Sequence, residues 1–262
     1  MDIKYFDNSA TTRVKEEVLN EMLPFLSIEY GNPSSMYGIG RSAKRAIEEA
    51  RKRVASLINC KSEEIYFTSC GSESDNTALK GVADKYKEKG KHIITSKIEH
   101  PAILHTAQNL ERHGYNVTYV DVNKNGIINL EKLQNAINSE TILISIMFAN
   151  NEIGTIEPIK KISEIAHKHG IIFHTDAVQA VGNIPIDVQK LGIDMLSLSG
   201  HKLYAPKGIG ALYVKKGIEF ERFIDGGHQE KNKRAGTENV AQIVGLGKAC
   251  QIAERNLKQY EE

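Results

Sequence analysis

The sequence has few of the features that mark secreted or membrane proteins. Among 262 residues there are three cysteines, Cys60, Cys70 and Cys250, with no CxxC pair, and there is no tryptophan. The first residues, MDIKYFDNSATT, lack the basic and then apolar run of a secretory signal. The longest apolar run, at 142–149, is far shorter than the roughly 20 residues that cross a bilayer. We therefore expect no disulfide scaffold, no membrane span and a cytoplasmic location.

The sequence also has no excess of charge of either sign. It carries 34 Lys+Arg against 33 Asp+Glu, and 40% of its residues are hydrophobic. A partner that binds by bulk electrostatics, such as a nucleic acid or an anionic membrane, usually selects a basic surface. We therefore expect neither partner, and any specificity must lie in a local site.

Strand patterns alternate with helical patterns along most of the chain. Apolar residues at helical spacing predict helices at 14–25 and 40–58, with a Gly/Pro/Ser-rich segment between them. Strands are predicted at 64–68, 92–96, 117–121, 141–149, 171–175, 195–199 and 211–214, and further helices at 73–89, 101–113, 129–138, 160–169 and 238–261. Such alternation indicates crossover connections. The fold class is therefore α/β, with a largely parallel mixed sheet and helices on both faces.

Ligands of such sheets bind beyond the carboxyl ends of the strands. The segment SCGSESDN at 69–76 joins the first strand to a helix, so Gly71, Ser72 and the backbone N–H groups could bind a phosphate. The alternative interpretation is a capping box between Ser72 and Asp75. The segment GIGRSA at 38–43 matches a dinucleotide fingerprint, but no strand precedes it, so we interpret it as a loop and a helix start.

Three ionisable residues follow other strands. Asp176 ends an apolar strand and could pair with a cation or a protonated ring nitrogen, or it could cap a helix. Lys202, in SGHKL, could form a Schiff base or be an ordinary surface lysine. His100, before Pro101, could move protons or stack on a ring, or do neither.

Nine histidines raise the possibility of a metal-assisted hydrolase, with His174, Asp176 and His201 as ligands. Their spacing forms no recognisable zinc motif, so we expect no metal. A phosphate cradle, an aspartate, a histidine and a lysine are together the groups that pyridoxal phosphate requires. The sequence thus predicts pyridoxal phosphate as the cofactor.

The motifs resemble those of cysteine desulfurases of the nitrogen-fixation and iron–sulfur-cluster class, in the class-V aminotransferase group of fold-type-I pyridoxal-phosphate enzymes. The matching segments are collinear and cover nearly the whole chain. They are FDNSATT at 6–12, YGNPSSMYGIGR at 30–41, FTSCGSESDN at 67–76, EHPA at 99–102, ANNEIG at 149–154, HTDAVQA at 174–180, SGHKLYAPKGIGALYV at 199–214 and GGHQEKNKRAGTENV at 226–240.

The resemblance implies roles for the site residues. Lys202 and His100 would be catalytic: Lys202 would bind the cofactor aldehyde, and His100 would stack on the ring and move protons. Asp176 would pair with the ring nitrogen. The remaining cofactor-binding residues would be Gln179 and Asn151 at the ring hydroxyl, Gly71, Ser72, Ser199, Gly200 and His201 around the phosphate, and Thr237 at the phosphate of the partner subunit.

The resemblance also implies a domain organisation and partners. Residues 1–14 would belong with a small domain that is mostly missing, and 15–262 would form the large domain, ending in an interrupted long helix. The expected substrate is L-cysteine, converted to L-alanine with transfer of sulfur to an iron–sulfur scaffold or sulfur-carrier protein, in a homodimer. Two residues depart from the pattern, since Cys70 replaces a usual Gly and Tyr37 a usual His.

A third departure concerns activity. Relatives continue beyond the position of Glu262 into a loop with the nucleophilic cysteine, and none of the three cysteines matches it. We therefore expect a C-terminally truncated desulfurase without turnover as this chain. The alternatives are another fold-type-I enzyme, such as a selenocysteine lyase or an aminotransferase, and a non-catalytic scaffold protein.

Overall fold

The computed structural model describes residues 4–261. Residues 1–3 of the predicted N-terminal segment and Glu262 lie outside the described residues. The strands are β1 (Ile65–Thr68), β2 (His92–Ser96), β3 (Asn116–Val120), β4 (Thr141–Ser145), β5 (Ile172–Asp176), β6 (Met195–Ser199) and β7 (Gly210–Val214). The helices are α1 (Glu16–Met22), α2 (Pro24–Ser27), α3 (Gly38–Leu57), α4 (Gly71–Tyr86), α5 (Pro101–Arg112), α6 (Leu130–Ala136), α7 (Ile159–Lys168), α8 (Val188–Leu191), α9 (Gln229–Asn232) and α10 (Val240–Glu261). None of the helices in this part of the chain is both long and apolar enough to span a bilayer.

The strands form one sheet in the order β1-β7-β6-β5-β4-β2-β3. Strand β7 pairs antiparallel with both β1 and β6, whereas the other neighbouring strands pair in parallel. The predicted α/β class with a largely parallel mixed sheet is therefore confirmed. β7 reverses because only a short segment joins it to β6, too short for a crossover helix.

Side chains of successive strand residues pack into two different cores. Ile93 of β2 lies in a core with α4 and α5, and its neighbour Ile94 lies in a core with α3, α7 and α10. This follows from the two-residue period of a strand. Helices therefore cover both faces of the sheet, as predicted, and the carboxyl ends of the parallel strands stay open.

Two predicted elements differ from those observed. The predicted helix at 14–25 is divided between α1 and α2 because Pro24 has no N–H to continue the first helix. The predicted strand at 141–149 ends at Ser145 as β4. Its extended backbone nevertheless continues, since the N–H groups of Ile146 and Phe148 donate to the carbonyls of His174 and Asp176 at 3.1 and 2.8 Å. The segment after β4 thus reaches the end of β5.

Candidate active site

A cavity of about 490 Å³ opens at the carboxyl ends of the parallel strands. All the site residues predicted from the sequence line it except Gly200 and Thr237. Those that line it are Gly71, Ser72, His100, Asn151, Asp176, Gln179, Ser199, His201 and Lys202. The sheet therefore brings together residues that are up to about half the chain apart.

One corner of the cavity is the N-terminus of α4. The helix begins at Gly71, and its cap residue, Cys70, makes no side-chain capping hydrogen bond. Ser72 lies inside the first turn, so the capping box with Asp75 is wrong as an interpretation. A Cβ atom at Gly71 would lie 2.8 Å from Val178 Cγ2. Glycine thus lets the helix end approach the loop after β5, with uncapped N–H groups that favour an anion.

The end of β6 completes this corner. Ser199 and His201 line the cavity, and His201 Nδ1 lies 3.1 Å from Thr11 Oγ1. Burial, followed by the charges of Lys202 and Lys207, lowers the pKa of His201. Gly200 between them is buried, and a Cβ there would lie 2.7 Å from Ile209 Cγ2. Gly200 therefore serves the packing beneath the site and does not line it.

Asp176 lies at the end of β5, almost completely buried. Its Oδ1 accepts a hydrogen bond from the Val178 N–H at 2.9 Å, so it caps a turn and not the helix that was the alternative. Burial raises the pKa of Asp176, against the opposing effects of the Val178 N–H, His100 and Lys202. A cation in the cavity would relieve this penalty by stabilising the carboxylate.

Lys202 ends the short 3₁₀ turn that follows β6. Its Nζ donates to the carbonyl oxygens of Ser9 and, at 3.0 Å, Ala10. Burial lowers the pKa of Lys202, although the charges of Asp7, Asp176 and Glu152 act against it. The amine therefore loses its proton more readily than that of a solvated lysine, as a nucleophilic lysine requires.

His100 is the cap residue of α5, with Pro101 at the first helical position, as the sequence indicated. Its Nδ1 accepts from the Ala102 N–H at 3.1 Å. In the neutral ring the proton is therefore on Nε2. Two amide side chains complete this wall of the cavity: Gln179 donates to the Ser9 carbonyl at 3.1 Å, and Asn151 donates to Glu152 Oε1 at 2.7 Å.

Thr237 lies apart from these residues. It is exposed and lines a separate cavity of about 230 Å³ together with Arg234 and Glu238. Its predicted contact with the cofactor of a partner subunit stays a prediction.

Several residues that line the cavity were not predicted as site residues. They include Asp7, Ser9 and Ala10 of the N-terminal segment, and Asp75 of α4. The segment 4–14, predicted to belong with another domain, also bonds to the end of β6, where Thr12 N donates to the His201 carbonyl at 2.9 Å. The sequence did indicate these regions, since they lie in FDNSATT and FTSCGSESDN, two of the segments that carry the family resemblance.

The residues considered as metal ligands do not converge. Within 4–261 there is no group of three or more His, Cys, Asp or Glu side chains arranged to hold a metal ion. His174 is fully buried and lies between hydroxyl groups, with Nδ1 2.9 Å from Ser145 Oγ and Nε2 2.9 Å from Ser197 Oγ.

The fold and the cavity define an α/β protein with an anion corner, a buried carboxyl and a lysine at the open edge of its sheet. Residues 4–261 match the model of the family described as aminotransferase class-V, and the chain belongs to that family. The family is one of pyridoxal-phosphate enzymes, which agrees with the resemblance inferred from the motifs.

Comparisons with individual proteins point to one branch of the family. The chain is 56% identical over 258 residues to the cysteine desulfurase IscS of Clostridium botulinum strain Hall, covering 98% of this chain and 65% of the relative. It is 57% identical over 255 residues to the cysteine desulfurase IscS of Methanosarcina thermophila, covering 97% and 63%. The chain thus spans about two thirds or slightly less of the length of these curated relatives.

Solved structures share the fold. A NifS-like protein superposes with a TM-score of 0.95 at 44% identity, covering 97% of this chain and 70% of the other. A structure described as SspA in complex with cysteine gives a TM-score of 0.93 at 45% identity, covering 95% and 72%. The overall architecture inferred from the resemblance is therefore confirmed.

Proposed function

We propose that this chain is the cofactor-binding part of a pyridoxal-phosphate-dependent cysteine desulfurase. The observation that carries the proposal is the placement of Lys202 and Asp176 on one cavity, beside the uncapped start of α4. The names of the IscS relatives support the reaction, and the SspA structure in complex with cysteine supports the substrate class. The product would be L-alanine, with sulfur delivered for iron–sulfur cluster assembly.

The residues present fit pyridoxal phosphate. Gly71, Ser72, Ser199 and His201 surround an anion corner, whose glycine leaves room where a Cβ would collide with Val178. Asp176 is a buried carboxyl whose pKa is raised by burial, so a protonated ring nitrogen beside it would stabilise its charged form. When bound, the cofactor would supply an electron-accepting ring for negative charge at the substrate Cα.

The side chains of the cavity would then have distinct tasks. The Lys202 amine would hold the cofactor and move the Cα proton, a role favoured by its lowered pKa. His100 would present its Nε2 proton, because Nδ1 is occupied by the Ala102 N–H. Asn151 and Gln179 would orient the ring hydroxyl and the substrate.

Sulfur transfer requires a thiol acceptor. The C–S bond of cysteine breaks, the carbon gains a hydrogen, and the sulfur forms an S–S bond with the acceptor thiol, which becomes a persulfide. Within the chain, Cys250 is fully buried with its pKa raised to about 12, and burial also raises the pKa of Cys60. Cys70 lies at the anion corner. We propose that none of them is the acceptor.

We further propose a homodimer and a cytoplasmic location. Large apolar side chains are exposed along the α1–α3 region, and such surfaces favour association. They are Leu19, Leu23, Leu26, Ile28, Tyr30, Met36 and Tyr37. Sedimentation as a monomer in the presence of cofactor would contradict the dimer.

Absorption spectroscopy with added pyridoxal phosphate tests the cofactor and its lysine. The parent chain should develop a visible band, Lys202→Ala should lack it, and Lys190→Ala, at an exposed lysine on α8, should retain it. A band of parental intensity in Lys202→Ala would contradict the assignment.

The substrate is tested with the same band. L-cysteine should perturb the parental band more than D-cysteine, and alanine should form only when a separate persulfide-forming cysteine is supplied.

A further inference from the structure

A group of buried polar side chains lies beneath the cavity, on the face of the sheet that α4 covers. We call it the Asp75 cluster; it consists of Asp75, Ser145, His174 and Ser197, each at most 1% exposed. Asp75 Oδ1 has no hydrogen-bond partner, although Asp75 also lines the cavity beside Asp176. An unsatisfied buried carboxyl oxygen is costly unless the group is neutral or serves a ligand.

Within residues 4–261, no cation is among the groups that act most strongly on Asp75. The groups that act on it most strongly are Asp176 at the end of β5, the Ser197 hydroxyl of β6, Glu99 after β2 and Cys70 before α4. The closest histidine nitrogen, His174 Nε2, is 3.8 Å from Oδ1, and burial lowers the pKa of His174 to about 3. His174 is therefore neutral. The cationic side chains of the site, Lys202 and His100, act on Asp176 instead.

Two buried carboxyl groups in one cavity cannot both be ionised at low cost. Asp75 is the more buried of the two, at 1% exposure against 6% for Asp176. Lys202 is among the groups that lower the pKa of Asp176, and it is not among the main groups that act on Asp75. We propose that Asp75 is a positioning residue that keeps its proton, so that Asp176 carries the single negative charge of the pair opposite Lys202. The inference deepens the proposed function, since that charge is the one proposed to bind the cofactor ring nitrogen. A protonated acid and an amide at this position are both uncharged, so neither opposes a negative charge on Asp176.

The protonation of Asp75 can be tested without cofactor. At pH 7 the infrared spectrum of the parent should contain one more carboxylic-acid C=O absorption than that of Asp75→Asn, since protonated Glu99 absorbs in both. Glu88→Gln, a variant of an exposed surface acid, should match the parent. The unfolding midpoint of Asp75→Asn relative to the parent should also increase from pH 5 to pH 8. In the parent, the folded state keeps the Asp75 proton that the unfolded state releases, so the parent loses stability as the pH rises, whereas an asparagine does not titrate. The proposal would be overturned if the parent and Asp75→Asn had the same carboxylic-acid absorption. It would also be overturned if the difference between their unfolding midpoints did not change with pH.

The effect on Asp176 is tested by cofactor titration over a range of pH. Asp75→Asn should bind pyridoxal phosphate within about threefold of the parent across the profile, because replacing a protonated acid with an amide removes no charge. An acid limb that moves to lower pH by about one unit in Asp75→Asn, or about tenfold in affinity there, would show that Asp75 is ionised in the parent and would overturn the proposal. If the parent itself binds no cofactor, the proposed function fails, and the infrared and stability measurements still decide the state of Asp75.

Discussion

Burial moves the pKa values of the acids and bases of this site in opposite directions. It lowers the pKa of Lys202 and raises those of Asp75, Asp176 and Glu99. In each case the low dielectric disfavours the charged form. The site therefore holds a more nearly neutral amine opposite a carboxyl that needs a cation, which is the pairing that a protonated ring with an aldehyde would satisfy.

Glu99 gives a prediction at the scale of one residue. Its Oε1 accepts from Ser96 Oγ at 2.6 Å and from the Met147 N–H at 3.0 Å, whereas Oε2 has no partner. Burial is the main cause that raises its pKa to about 8. Because the folded-state pKa exceeds the ordinary value, the stability that the protonated acid contributes is complete at low pH and is lost as the pH rises through about 8.

Glu99→Gln should therefore lose less stability than the parent between pH 5 and pH 9. Urea unfolding at both pH values measures this, with Glu88→Gln as the control at an exposed position. A parent and a Glu99→Gln variant that lose equal stability over this range would show that Glu99 is ionised in the folded protein.

The residue types of the site were predictable, but their partners were not. Asp176, His100 and Lys202 were identified because each follows a predicted strand, whereas the role of Ser199 came only from the family resemblance. Asp75 was interpreted only as a capping residue. Its position in the sequence does not show that its side chain faces a buried polar cluster and not solvent. Whether Thr237 and Asn151 act as the resemblance implies stays a prediction.

At the level of the elements, α3 and α10 are in close contact at one glycine. The close approach occurs at Gly247, where a Cβ would lie 2.6 Å from Ala50 Cα and 2.7 Å from its Cβ. Both contacts are with atoms that cannot rotate away, so the helices would have to separate. Glycine therefore fixes the distance between the two longest helices of the described chain.

Gly247→Ala should consequently lower the free energy of unfolding by about 1–3 kcal/mol, despite the better helix propensity of alanine. Gly38→Ala is the matched control, because Gly38 lies in α3 with nothing within 4 Å of a Cβ there. Denaturant unfolding of the two variants separates overpacking from propensity. A stabilised Gly247→Ala would mean that the helices can separate at no cost.

At the scale of the whole molecule, a buried ion pair joins three distant parts of the chain. Arg51 of α3 donates to both carboxylate oxygens of Glu230, at 2.7 and 2.8 Å, and Glu230 Oε2 also accepts from the Phe67 N–H of β1 at 2.9 Å. The Arg51 guanidinium lies 4.6 Å from the ring centroid of Phe67. Glu230 has a φ of 44°, so this contact also holds a left-handed backbone within the irregular α9 that precedes α10.

Arg51→Met should destabilise the fold by about 3–5 kcal/mol, because it leaves the Glu230 carboxylate buried without its partner. The double variant Arg51→Met, Glu230→Leu should recover part of that loss. Arg222→Met, which breaks the exposed pair with Asp225, should cost less than about 1 kcal/mol. Equal losses in Arg51→Met and Arg222→Met would show that the buried pair contributes no more than a surface one.

The order of the elements and the polar residues that follow each strand could be predicted from the sequence. Side-chain periodicity is a local property, so the alternation of strands and helices, the two-faced sheet and the residues after each strand could be inferred from spacing. Splitting of the first helix at Pro24 and the early end of β4 were missed because capping and strand pairing compete with periodicity at element ends.

The packing of the whole chain determines which strand ends meet. The strand order depends on how helices pack across the sheet, and no local pattern encodes that packing. The same packing brings Ser9 and Ala10 to Lys202 and places Asp75 beneath the cavity beside Asp176. Burial, which sets the pKa values of the site, exists only once these distant segments exclude water together.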